Sequence, residues 1–198
     1  MHSIRVINNF VSPEDAIAYQ NEARNPSERL PYPDYYADRF GGTALPYNKT
    51  TTELNKKYGR KAAEMVKELY GFVNPVYVYK VFMNYTSDPG YVGPLHYDNV
   101  GPEPWIEWSA VIYINPRDEW EGGLLHFPNQ GYIYDPVQYD AVIFPSAGAE
   151  YTHGISALKS GERMSLVVCL TTQPHHTDPD FWEPGDEKDY VLSKYEMD

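Results

Sequence analysis

Two histidines and one aspartate carry the clearest capacity for chemistry in this 198-residue chain. His96 and Asp98 stand two apart in GPLHYDNV, and His153 follows in YTHGIS, 55 residues after Asp98. Two imidazole nitrogens and one carboxylate oxygen form a metal-ligand set that leaves coordination positions open. Such a set suits redox-active iron(II), and it also suits a hydrolytic zinc. On a β-strand the side-chain period of two puts His96 and Asp98 on one face. The third ligand then comes from a strand distant in sequence and adjacent in space. Arg163, ten residues after His153, opens the apolar run RMSLVVCLTT. A guanidinium inside a barrel needs an internal acid or an anionic ligand, because an unpaired buried charge is costly. Its planar fork matches a carboxylate at two points. Ser165, two residues on, shares that face and offers a hydroxyl. A second H-x-D, His176-Thr177-Asp178, has no histidine after it and reads as a surface feature. Tyr97, between the two candidate ligands, is expected to face away from them.

The elements that must position these residues are mostly short strands. IRVINN reads as a strand. Ser12, Pro13, Glu14 and Asp15 then supply a cap, a first-turn proline and first-turn acids for a helix. After a proline- and tyrosine-rich connector from Asn25 to Tyr47, Thr52 is expected to cap a second helix that Gly71 ends. Its apolar residues Leu54, Tyr58, Ala62, Met65, Val66 and Leu69 follow a 3.6-residue period. From Pro75 the chain turns to strands: Val76–Tyr85, one entering His96, Glu107–Asn115, Gly123–Phe127, Asp140–Pro145, one around His153, and Arg163–Thr172. Asn115-Pro116, Glu121-Gly122-Gly123 and Lys159-Ser160-Gly161 read as the turns between them. The expected fold is mainly β with flanking helices (α+β), built on a double-stranded β-helix, or jelly roll. The chain reads as a single domain: residues 1–74 a helical support, 75–173 the jelly-roll core, 174–198 an acidic tail.

Composition narrows the partners. A net charge of −12 with no basic run argues against binding a phosphate backbone, so no nucleic-acid partner is expected. Cys169 is the single cysteine, which excludes an internal disulfide framework. It lies in an apolar run and reads as a buried small hydrophobe. No segment is long and apolar enough for a membrane span and no signal-peptide core is visible. These features give the expectation of a soluble cytoplasmic protein with no membrane partner.

The run NYTSDPGYVGPLHYDN … SAVIYIN … GGLLHFP … YDAVIFPS … YTHGIS … GERMSLVV resembles the 2-oxoglutarate- and iron(II)-dependent oxygenases, in their prolyl 4-hydroxylase-like branch. It covers about Val76 to Thr172, and INNFVSPEDA resembles that branch's opening strand and helix. The resemblance implies that His96, Asp98 and His153 bind Fe(II) and that Arg163 pairs with the distal carboxylate of 2-oxoglutarate. Tyr113 in VIYIN, on the face of Ser109 and Val111, matches the tyrosine that assists that carboxylate. Tyr85 in MNYT matches the tyrosine near the keto-acid end. The activity implied is hydroxylation of an unactivated C–H bond with O2, releasing succinate and CO2, with ascorbate as an accessory reductant. The substrate implied is a prolyl residue of a peptide or protein, with small molecules behind it. Many members of the branch carry lysine where Arg163 stands, and the strand after Arg163 lacks the further arginine of nucleobase-demethylating members. Two other classes remain open at this point: a zinc-type hydrolase using the same ligand set, and a non-catalytic jelly-roll module that binds a metal or ligand. His126 and Gly122-Gly123 read as structural. Trp105, Trp108 and Trp120 belong either to the core or to the substrate rim, which the connector and the loop Asn99–Trp105 are expected to form.

Overall fold

Ser12 and Pro13 begin the first helix as their chemistry dictates. In the computed structural model, which describes residues 3–25, 30–31, 43–44, 49–100 and 104–178, β1 (Arg5–Ile7) leads into α1 (Pro13–Arg24). The Ser12 hydroxyl accepts from the Asp15 amide at 3.2 Å, and Pro13 occupies the first turn. The second helix, α2 (Lys49–Tyr70), starts three residues before the expected Thr52 cap. Thr51 is buried there, so packing carries the helix past a local capping signal. Its end is as expected: Gly71 takes a φ of 72°, and the Phe72 amide returns to the Lys67 carbonyl at 2.9 Å. Tyr58, Ala62 and Val66 of α2 are buried in one cluster with Ala16, Tyr19 and Ala23 of α1. Most of the Asn25–Tyr47 connector, residues 101–103 of the predicted rim loop, and the tail after residue 178 lie outside the described residues.

The strands are β2 (Leu30–Pro31), β3 (Thr43–Ala44), β4 (Tyr77–Thr86), β5 (Gly93–His96), β6 (Trp108–Tyr113), β7 (Trp120–Gly122), β8 (Leu125–Phe127), β9 (Tyr132–Tyr134), β10 (Ala141–Pro145), β11 (His153–Ile155), β12 (Leu158–Gly161) and β13 (Arg163–Thr171). They form a seven-stranded sheet in the order β1-β10-β6-β13-β4-β3-β2 and a four-stranded sheet β5-β11-β8-β9, all pairs antiparallel. The larger sheet packs one face on the helices and the other toward the smaller sheet, which makes the expected jelly roll.

Alternation sorts the side chains. On β13, Met164, Leu166, Val168 and Leu170 join the helix-side core, while Arg163, Ser165, Val167 and Cys169 line the space between the sheets. Each aliphatic buried this way contributes roughly 1.5–3 kcal/mol. On β4 the alternation breaks. Cys169 pairs with Lys80 but Leu170 pairs with Val78, leaving Tyr79 as the extra residue of a bulge. Through that bulge Val78 and Val81 both face the helices, and Lys80, Phe82 and Asn84 face the inter-sheet space.

Five strands are additional to the expected set: β2, β3, β7, β9 and β12. Two segments read as turns, Glu121-Gly122-Gly123 and Lys159-Ser160-Gly161, instead contribute to the β7–β12 ribbon, with Gly122 opposite Leu158 and Gly161 opposite Trp120. Glycine is needed there for close approach rather than for reversal. A Cβ on Gly161, at φ 83°, would lie 2.0 Å from the Glu119 carbonyl oxygen. Gly161→Ala is therefore expected to cost about 2–3 kcal/mol, lowering the melting temperature by roughly 5–10 °C in a thermal scan. An unchanged melting temperature would refute the close approach.

Candidate functional site

Strand register brings the two histidines together. β11 pairs with β5 so that His153 lies directly opposite His96, and their ring centroids are 4.5 Å apart. The route to Asp98 differs from the expected one. β5 stops at His96, so Asp98 is not on the same strand; it sits in the following turn, where its amide donates to the Ser146 carbonyl at 2.9 Å. The alternation ends there, and Tyr97 is among the residues that line the pocket. Asp98 Oδ1 lies 3.3 Å from His96 Nε2 and 3.7 Å from His153 Nε2, and the three candidate ligand atoms fall within 4.8 Å of one another.

The outward atoms of all three residues are held by the protein. His96 Nδ1 lies 2.8 Å from the Pro94 carbonyl oxygen and His153 Nδ1 lies 3.0 Å from that of Tyr151. A carbonyl only accepts, so each Nδ1 carries the proton, which leaves the Nε2 lone pairs facing Asp98. Asp98 Oδ2 accepts from the Ser109 hydroxyl at 2.6 Å, and Ser109 also bonds Ser146 at 2.9 Å. Burial opposes ionisation of Asp98. The neighbouring His153 and His96 and the Ser109 hydroxyl outweigh it and hold the carboxyl well below its usual range. Burial likewise pushes His153 below the ordinary imidazole value. An ionised aspartate beside a neutral histidine is the protonation state that binds a divalent metal. Ser109→Ala is expected to weaken metal affinity about 10–100-fold, as loss of an outer hydrogen bond to a ligand typically does. Titration with Mn(II) measures this, and affinity equal to wild type would remove Ser109 from the site.

These residues line one end of a pocket of about 890 Å³, counting its open mouth. The other end holds Arg163, 1% exposed. Its Nε donates to the Gly123 carbonyl at 3.3 Å and its Nη1 to Ser165 at 3.0 Å. Its Nη2 is buried with no hydrogen-bond partner, and no described carboxylate pairs with it. The guanidinium lies 5.3 Å from the Tyr113 ring centre and 5.6 Å from that of Trp120. The Tyr113 hydroxyl is also buried and unpartnered. Burial pushes it up to about 12 against the lowering pull of Arg163, so it stays a neutral donor.

Cross-strand register arranges the pocket floor in rows. Ser165 and Asn84 are paired neighbours, with Tyr113 on the other side of Ser165 but outside the pocket lining, then Val111, Val167 and Phe82, then Ser109, Cys169 and Lys80. A polar row beside Arg163 is thus followed by an apolar one, and then by the row whose Ser109 holds Asp98.

Tyr85 is not part of this site. It faces the helix-side core, one position out of phase with Phe82 and Asn84, and its hydroxyl donates to Glu162 at 2.7 Å. Sequence reasoning missed Ser109, Ser146, Asn84 and Tyr91. The pocket-lining Tyr91 has a buried hydroxyl without a partner. The 109/111/113 alternation marked Ser109's face; the bulge hid that of Asn84. Trp120 lies against Arg163, and Trp108 packs edge-on against Phe72 at 4.8 Å between centroids. Trp105 stacks at 3.7 Å on His176 of the second H-x-D, which joins no candidate metal group among the described residues.

No protein-family model matches the chain. Among curated proteins it is 27% identical over 100 residues to prolyl 3-hydroxylase 1 of Homo sapiens and 28% over 97 residues to that of Gallus gallus. Each match covers 46% of this chain and 13% of the relative's length. Solved structures match over far more of the fold. The viral collagen prolyl hydroxylase of Paramecium Bursaria Chlorella virus-1, solved with 2OG, superposes with a TM-score of 0.67 at 17% identity, covering 86% of this chain and 96% of that one. A Pseudomonas putida prolyl-4-hydroxylase gives 0.63 at 17% identity over 87% and 94%. A Trichoplax adhaerens prolyl hydroxylase, in complex with a hypoxia inducible factor peptide fragment, gives 0.62 at 14% identity over 86% and 84%. The chain has the fold of the prolyl 4-hydroxylase-like 2OG-Fe(II) oxygenases.

Proposed function

We propose that the protein hydroxylates an unactivated C–H bond, on a prolyl residue of a peptide or protein, using Fe(II), 2-oxoglutarate and O2 and releasing succinate and CO2. The observation that carries this reading is the buried Arg163 without an acid, sharing one pocket with the His96–Asp98–His153 cluster. A dicarboxylate with a short apolar middle suits that layout. Arg163 and Tyr113 would hold its distal carboxylate, and Val111 and Val167 would flank its methylenes. Successive rows are about 6.6 Å apart along the strands, a span that the long Arg163 side chain helps to bridge. His96 Nε2, Asp98 Oδ1 and His153 Nε2 would hold iron(II), which when bound supplies O2 activation coupled to oxidation of the ligand. These three protein atoms would hold the metal and would leave coordination positions for cosubstrate and oxygen. Arg163 is buried away from bulk water, which would strengthen its contact with an anion. The prolyl substrate is supported by the names of the sequence relatives and structural neighbours. Ascorbate would serve as an accessory reductant.

A zinc hydrolase would need a separate general base. Among the described residues lining the pocket, Asp98 is the only carboxylate, and it is already committed as a ligand. The decisive experiment adds 2-oxoglutarate to anaerobic Fe(II)-loaded protein, then admits O2 with prolyl peptides present. A visible charge-transfer band followed by peptide-dependent succinate release is expected. Absence of both would overturn the oxygenase reading; succinate release that only non-prolyl substrates stimulate would overturn the prolyl assignment.

A further inference from the structure

Two side chains absent from the expected site are placed to complete its anion-binding end. Asn84 is 4% exposed, lines the pocket and pairs across the ladder with Ser165, the residue that accepts from Arg163. Directly opposite residues on neighbouring strands bring their Cβ atoms to about 5 Å. Asn84 Oδ1 accepts from the Thr86 hydroxyl at 3.2 Å, which fixes the amide plane. No described residue accepts from its Nδ2, so that donor is left for the pocket. Tyr91 approaches from the chain before β5, pinned by its carbonyl to the Leu158 amide at 2.9 Å. Its ring lines the same pocket and its hydroxyl is buried without a partner. Burial raises its pKa while the Arg163 charge lowers it, which places the phenol within the field of that guanidinium. Buried polar groups are rarely left unpaired, and here three are, Arg163 Nη2 and the Tyr113 and Tyr91 hydroxyls, with Asn84 Nδ2 a further donor that meets no described acceptor.

We infer that Asn84 and Tyr91, in place of Tyr85, donate to the carboxylate that Arg163 and Tyr113 hold, and that this donor-rich end admits a carboxylate and rejects the corresponding amide. The inference rests on the oxygenase reading of the pocket. A carboxylate only accepts and offers about four lone-pair sites, enough for the three buried unpartnered groups and the Asn84 amide together. A primary amide would turn an NH2 toward donors and leave at least one of them unsatisfied.

The test is calorimetric binding of 2-oxoglutarate and 2-oxoglutaramate to the Mn(II)-loaded full chain under argon, with no turnover involved. Asn84→Ala and Tyr91→Phe are each expected to weaken 2-oxoglutarate about tenfold or more, the effect of removing one hydrogen bond to a charged group. Tyr85→Phe is expected to stay within about twofold, since removing its bond to Glu162 does not touch the pocket. Asn84→Asp is expected to narrow the preference for the acid over the amide about tenfold. Asn84→Ser, smaller and still a donor, should retain more affinity than Asn84→Ala if the latter packs poorly. Arg163→Ala losing affinity while Asn84→Ala and Tyr91→Phe keep it would overturn this inference and leave the oxygenase reading standing. Wild-type protein that binds Mn(II) but not 2-oxoglutarate would overturn both.

Discussion

Arg163→Met is expected to melt at a higher temperature than the wild-type protein when no ligand is present, and to lose its stabilisation by 2-oxoglutarate. The native cation is buried with two hydrogen bonds, one of them long, and no acid among the described residues. Replacing buried charged groups with apolar side chains of similar volume commonly stabilises by about 1–4 kcal/mol. A methionine can occupy the space between the Tyr113 and Trp120 rings, where its sulfur makes favourable aromatic contacts. For a chain of this size the gain corresponds to roughly 3–10 °C. The binding effect runs the other way. On the proposed reading, removing the charge that would meet the ligand's carboxylate should weaken 2-oxoglutarate about 100-fold or more. Thermal scans of Mn(II)-loaded protein, with and without 2-oxoglutarate, read both effects. A variant that melts lower without ligand and still gains from 2-oxoglutarate would show that Arg163 is a structural residue.

Asp98→Ala is expected to abolish iron retention and succinate formation together. Asp98 Oδ1 is the oxygen that both histidine Nε2 atoms face, and without it two neutral imidazoles remain, too few to hold iron through desalting. The loss should exceed the roughly 100-fold upper range for an outer-sphere change such as Ser109→Ala. Asp178→Ala in the second H-x-D supplies the internal contrast. Its neighbour His176 stacks on Trp105, and its own backbone amide donates to Val78, so this substitution should leave iron content at the wild-type level. Metal analysis after desalting decides between them. Equal iron in Asp98→Ala and wild type would displace the ligand assignment.

Acid should release the metal in the wild-type protein, because ligation needs the Nε2 lone pairs. Burial lowers the pKa of His153, so its neutral form persists to lower pH than an exposed histidine would allow. Protonation forced on the ring as pH falls opposes both ligation and the buried environment.

How much of the site was legible depended on whether strand alternation held. β6 and β13 are regular, so Ser109, Val111 and Tyr113, and Arg163 and Ser165, could be assigned a common face from period two alone. β4 carries a bulge at Tyr79 beside the pocket wall, and no residue type in VYVYKVFMNY announces it. The tyrosine suggested by resemblance therefore faces the helices, and the neighbouring Asn84 faces the pocket. The H-x-D spacing was legible but its mechanism was not, since Asp98 reaches His96 through a turn bonded to Ser146. Glycines misled in the same way. Gly122 and Gly161 looked like turn residues, because sequence cannot separate a reversal from two backbones in near contact.

By itself the sequence determined the candidate ligand types, their order along the chain, the helix with its serine cap and the one ending at Gly71, and the alternation that builds two faces on one sheet. These are consequences of local chemistry: capping groups, φ preferences and side-chain period act over a few residues. Only the tertiary structure decided which hydroxyl holds Asp98, which rings flank Arg163, and that the guanidinium meets no described acid. Those facts depend on strand pairings such as Tyr113–Ser165 and Ser165–Asn84, which join residues 52 and 81 positions apart. Register between distant strands is set by the packing of the whole barrel, and no local pattern encodes it.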